Sequence, residues 1–215
     1  MDSRQFAELL EKQVKDFCHT LDSKLPAYSF IPLSSDDARI KVMKSRLFNE
    51  IRAGEIFGGW LKSTPELDVK KTLAQAVHEE YEHAEFLEAA LRGQGATPYD
   101  YQPLPAQMAM FNAFEGLTDT VERIAAFPMA GEGVADYLIA KSLQAGTVPT
   151  WVTEPYKRIH EDEAEHGNYP FDILVKYATT TAKQERAFRA VAMSLALRRA
   201  YFDNLDRWVI ESSSY

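Results

Sequence analysis

Glu79-Glu80-Tyr81-Glu82-His83 and Asp162-Glu163-Ala164-Glu165-His166 are two short stretches built on one pattern. Each contains Glu-x-x-His, with an acid just before the motif Glu and a second Glu just before the His. On an α-helix, positions i and i+3 share a face, so Glu80 and His83 can reach one ion together, as can Glu163 and His166. A carboxylate oxygen beside a neutral imidazole suits Fe(II), Mn(II) or Zn(II). Working outward, Glu50 lies 30 residues before Glu80, and Glu132 lies 31 before Glu163. The two halves thus repeat with offsets of 82 (Glu50 to Glu132) and 83 (Glu80 to Glu163). Within each half, separations of 30 and 31 are about what an antiparallel helix pair with a short connection needs to bring two residues level.

Taken singly, each acid fits a solvated helix face as well as a buried site. The complete set of four Glu and two His is what points to a metal centre. Four buried carboxylates would each lose several kcal/mol of hydration, whereas two divalent ions would neutralise them. Rivals exist for some positions. Glu55 competes with Glu50, but five residues turn a helix by about 140°, so both cannot point inward. Glu115 and Glu122 compete with Glu132, at separations of 48 and 41 from Glu163 that require a large loop. His78 faces away from Glu80, roughly 200° around the helix. His160, one turn before Glu163, reads either as a hydrogen-bond donor behind the site or as a half-exposed side chain. Glu82 and Glu165 belong outside the site or at a helix interface, and His19 carries no signal.

At 215 residues the chain fits one compact domain, residues 1–215, with the metal-binding bundle over about 36–178. Its lone cysteine, Cys18, excludes an internal disulfide and a cysteine-rich zinc site. That fits a reducing, cytoplasmic setting. The charged, amphipathic start, Met1 to Lys15, is not a secretory signal. No apolar run has membrane-spanning length, so no membrane insertion is expected. A net charge of −8 argues against a nucleic-acid partner.

The hydrophobic pattern is helical almost throughout. It predicts helices over about Ser3 to Leu21, Asp36 to Lys62, and onward from Thr64-Pro65-Glu66 to Leu91, closed by Gly93. A further helix over about Ala106 to Phe127 is interrupted by Pro128 and followed by a segment from Met129 to Ala145. Another starts at Thr153-Glu154-Pro155, runs through His166 and is disturbed by Pro170; the last covers about Ala182 to Val209.

From Arg46 to Tyr169 the sequence resembles the ferritin-like di-iron carboxylate proteins, which take one Glu from each of two helices and Glu-x-x-His from the other two. The fold implied is all-α, a ferritin-like four-helix bundle with additional N- and C-terminal helices. By the resemblance, Glu50 and His83 serve one iron, Glu132 and His166 the other, and Glu80 and Glu163 bridge. Glu79 and Asp162 occupy the place of acids that orient a ligand His from behind it, with His160 as a further such donor.

Extra terminal helices, the poor helix sequence Pro128-Met129-Ala130-Gly131-Glu132-Gly133, and Gly54, Gly58 and Gly59 beyond Glu50 resemble the O2-activating branch. The overall layout is closest to aldehyde-deformylating oxygenases and similar small oxidases. Those glycines read equally as a substrate cavity or as close helix packing. Phe57, Trp60, Tyr137, Tyr156 and Tyr169 read as pocket lining or as core. The resemblance implies two Fe ions, or an Fe/Mn pair, with O2 as co-substrate. It implies a peroxo-diferric intermediate, a mostly apolar small-molecule substrate, a ferredoxin and reductase as electron donor, and a homodimer. A ferroxidase or peroxide-scavenging protein, and a non-catalytic helical module, remain the alternatives.

Overall fold

The structure, a computed structural model, describes residues 1–162 and 168–210 in full and the helical backbone of 163–165 and 211. Among the described residues the chain is all α-helical, as the pattern predicts, with no strand. In order come α1 (Ser3–Leu21), a 3-10 turn (Ala27–Ser29), α2 (Asp36–Leu61), α3 (Leu67–Gly93), α4 (Pro105–Glu115) and α5 (Thr120–Ile124). A π-helical segment (Ala125–Glu132) leads into α6 (Gly133–Gln144), followed by α7 (Thr150–Glu165), α8 (Tyr169–Tyr177) and α9 (Thr181–Glu211). No helix among these residues is long and apolar enough to cross a membrane.

The α2–α3 hairpin positions the first half of the site. Ser35 caps α2 by accepting the Ala38 N–H at 3.3 Å, and Asp36 and Asp37 favour the positive end of the helix dipole. A short loop then reverses the chain, and the two helices pack against each other. Glu50 and Glu80 are equidistant in sequence from Pro65, so they stand level across the hairpin. On α3 the buried stripe runs Val69, Leu73, Ala76, Glu80, His83, Leu87, in steps of four and three. On α2 it runs Met43, Leu47, Glu50, Gly54, Phe57 with the same steps. Glu50, Glu80 and His83 therefore occupy positions where the pattern asks for apolar side chains.

Gly54 explains the close approach of the two helices, because a Cβ there would lie 3.0 Å from the Tyr81 ring. Close packing is thus the reading that holds for this glycine. Helix α9 lies against the π segment, α4, α5 and α1, burying Tyr201, Phe202 and Leu205. It also brings Arg198 to the π segment, where a Cβ on Gly131 would sit 2.9 Å from the guanidinium.

Several predicted boundaries move. Thr64 is not a cap: its hydroxyl donates to the Trp60 carbonyl at 3.0 Å, and α3 begins at Leu67. The helix predicted over 106–127 breaks at Gly116, and Asp119 restarts it by accepting the Val121 N–H at 2.9 Å. Pro128 does not interrupt the chain. It sits inside the π segment, whose wider ladder absorbs a residue that cannot donate a hydrogen bond. Helix α7 starts at Thr150, with Pro155 inside it. Pro170 opens α8 instead of disturbing α7, in the first turn where its missing N–H has no intrahelical partner to lose.

Candidate metal centre

Glu50 from α2 and Glu80 and His83 from α3 converge in the interior, 7%, 4% and 2% exposed. One donor atom from each lies within 4.8 Å of the others, a spacing compatible with a shared ion. From α7, Asp162 reaches the same cluster, its Oδ2 3.7 Å from His83 Nε2. Asp162 stands one residue before the predicted ligand Glu163. The Glu163 side chain and His166 lie outside the described residues.

Glu132 arrives at the end of the π segment. It lines one small void with Arg46, Glu50, His83 and Asp136, and a second with Tyr28, Asn49, Glu50 and Arg198. Glu50 is thus the neighbour common to Glu80, His83 and Glu132. Burial pushes the Glu132 carboxyl up to about 7; Glu50 and Asp136 add to the shift, while Arg198 and Arg46 oppose it. An unfolded-chain Glu titrates near 4.5, so the folded, metal-free protein binds the extra proton between those values. Its contribution to stability is complete below the unfolded value and is lost as pH rises through about 7. The metal-free protein should therefore lose up to about 3 kcal/mol of urea stability between pH 5 and 8 from this group. Glu132→Gln should flatten that part of the profile, and an unchanged slope would assign it elsewhere.

Arg46, one helical turn before Glu50, was not singled out by the sequence because an Arg–Glu pair at i,i+4 is usually a surface feature. Here it is 2% exposed. Its Nη2 lies 3.6 Å from Glu50 Oε1, and its guanidinium stacks 4.1 Å from the Tyr28 ring and 4.9 Å from that of Tyr156. Burial opposes the charge, but the facing Tyr156, Tyr28 and Glu50 more than offset it and keep the group cationic. Asp136, also missed, lies one turn past Glu132, and its Oδ1 is 2.6 Å from His160 Nδ1.

Exposure separates two of the rival acids from the site, while Glu122 is half-buried like Glu132. Glu55 and Glu115 are both exposed and both paired with Arg52. His78 is exposed, with Glu82 Oε2 at 3.5 Å. Glu79 is half-buried and lines a hollow with Thr72, Ala76 and Tyr169.

A cavity of about 450 Å³ reaches Glu132, Asp136 and His160 from the surface. Its walls come from α1 (Val14, Cys18), the π segment (Pro128, Met129), α6 (Tyr137, Ala140) and the start of α8 (Tyr169, Pro170). Of the five aromatics considered, Tyr137 and Tyr169 line it, whereas Phe57, Trp60 and Tyr156 are core. The poor helix sequence around Pro128 does shape a cavity, and the α2 glycines do not line it. Burial pushes the Cys18 thiol up to about 11, leaving it in its unreactive protonated form.

No family model matches the sequence, and no curated protein matches it. The fold has a counterpart among solved structures. A domain of unknown function with a heme oxygenase-like fold from Shewanella denitrificans superposes with a TM-score of 0.78. The match covers 96% of this chain and 94% of that one at 14% sequence identity. At that identity the likeness shows the fold alone: an all-helical, heme oxygenase-like architecture.

Proposed function

We propose that this protein is a non-haem di-iron oxidoreductase that uses O2 to oxidise a small, mostly apolar organic molecule. The observation that carries this reading is the placement of Glu50, Glu80 and His83 in the apolar stripes of α2 and α3, with their donor atoms within 4.8 Å. Carboxylates at such positions are costly unless a cation compensates them, and this donor set fits Fe(II) or Mn(II). Glu50, Glu80 and His83 would hold one ion. Glu132, with Glu163 and His166 from α7, would complete the second. Asp162 Oδ2, 3.7 Å from His83 Nε2, stands where the resemblance places an acid that orients a ligand His from behind it. The bound ions would supply the redox chemistry that no side chain here can.

The chain's own residues do the rest. Arg46 sets a fixed counter-charge beside Glu50 and anchors that face of the site between Tyr28 and Tyr156. Burial raises the Glu132 carboxyl to about 7, so near neutral pH it would exchange a proton for a bound cation. His160, which lines the cavity with its Nδ1 2.6 Å from Asp136 Oδ1, would exchange protons there. The apolar walls orient a substrate and exclude water. Electrons would come from an external donor such as a ferredoxin and its reductase, because the one cysteine excludes a resident Fe–S cluster.

Oxygen uptake tests the proposal. Anaerobically loaded protein mixed with O2 should consume it in proportion to bound Fe(II), and a substrate should raise the rate of repeated cycles. Uptake with continued accumulation of iron per chain, insensitive to any organic molecule, would point to ferroxidase activity. Bound iron that takes up no O2 would reduce the site to a structural one.

A further inference from the structure

The charged groups around the 450 Å³ cavity are unevenly satisfied. Glu11, on its wall, accepts a hydrogen bond from Asn168 Nδ2. Asp136 is engaged by His160 at 2.6 Å. Asp22, just outside, has its Oδ1 taken by the Tyr137 hydroxyl at 2.7 Å and by Lys141 at 3.0 Å. Asp16 is paired with Lys12 at 2.6 Å. Glu132 lies inward, facing Glu50, Arg46 and Arg198. Two basic side chains are left on the lining, Lys15 and His19, one turn apart on α1 and both exposed at the mouth. Among the described residues, neither side chain has a hydrogen bond or ion pair with an acid. His19 packs edge-on against Tyr137, a second wall of the same cavity.

We propose that Lys15 and His19 form a carboxylate clamp at the cavity mouth, and that the ligand is an organic monocarboxylic acid with an apolar body. The charge distribution fixes its direction. The lining acids Glu11 and Asp136 are already engaged by Asn168 and His160, so the positive charge left for a carboxylate is the Lys15–His19 pair at the rim. The apolar body then lies along Val14, Met129, Tyr137 and Tyr169, with its far end toward Glu132. The volume falls in the range of small-molecule clefts. The chain's net charge of −8 works against anions at long range, but such fields are screened beyond roughly 8 Å at physiological salt. Anion preference therefore reports the local pair. This inference rests on the reading of the cavity as the substrate chamber, although binding itself needs no metal.

Calorimetric titration of the metal-free, full-length protein with octanoate, octanol and octylamine tests it, since the three probes differ in charge and hardly in size. Octanoate should bind at least tenfold more tightly than either of the others. Lys15→Met, which keeps the aliphatic stem at an exposed position, should bring octanoate to within about threefold of octanol and leave octanol unchanged. Lys15→Glu should reverse the order in favour of octylamine. Equal affinities, a preference for octylamine in the natural protein, no binding of octanoate, or insensitivity to both substitutions would each overturn the clamp. Metal content measured on the same preparations keeps the two ideas apart. Octanoate selectivity in a protein that takes up no iron would remove the di-iron reading and leave the clamp standing.

Discussion

Saturation with Mn(II), or with Fe(II) in the absence of oxygen, is expected to raise the melting temperature by roughly 5–10 °C. Binding at about one hundred times the dissociation constant adds about 2.7 kcal/mol to the folded state. In a chain of this size each kcal/mol moves the midpoint by about 2–4 °C. His83→Ala and Glu80→Ala should abolish the shift, because each removes one of three donors that lie within 4.8 Å of one another. Circular-dichroism melts with and without metal provide the check. The comparison is internal to each variant, so a change in basal stability does not obscure it. A shift of equal size in His83→Ala would place the stabilising ion somewhere else.

Arg46→Met is expected to destabilise the metal-free protein by about 3–5 kcal/mol, the cost of stranding a buried charge without its partner. Glu50, 7% exposed, would face Glu132 with its nearest counter-charge gone. Loss of stacking on Tyr28 and Tyr156 accounts for only about 2 kcal/mol of such a penalty. The two contributions separate on adding metal. A cation bound at Glu50 replaces the lost positive charge, so Mn(II) should recover more stability in Arg46→Met than in the natural protein. Urea midpoints for both proteins, with and without Mn(II), measure this difference. Equal gains would make Arg46 a packing element and nothing more.

How far each part of the site was legible depended on what specified it. Local spacing specified Glu80 and His83, since i and i+3 on a helix need no tertiary knowledge. Glu50 followed from counting across a short loop, because an antiparallel hairpin places residues equidistant from the turn side by side. Which of the adjacent acids Asp162 and Glu163 turns inward cannot be read in the same way. Adjacent residues differ by about 100° around a helix, and only the rotation of α7 against α3 decides which one turns inward. Pro128 misled for a related reason. A proline in a helical pattern signals a break, and nothing local distinguishes a break from a π turn that accommodates it. Arg46 and Arg198 were invisible because charged residues on long helices are ordinarily solvated, and their burial is a property of the assembled α2–α9 core. The cavity was illegible because its walls come from four separate stretches of chain.

The most direct test of the di-iron reading is anomalous X-ray scattering from crystals grown with Fe(II) or Mn(II), measured at the edge of the added metal. The expected map has one peak within bonding distance of Glu50, Glu80 and His83, and a second between Glu132 and α7. No peak among these residues, or metal confined to surface acids such as Glu55 and Glu115, would contradict it.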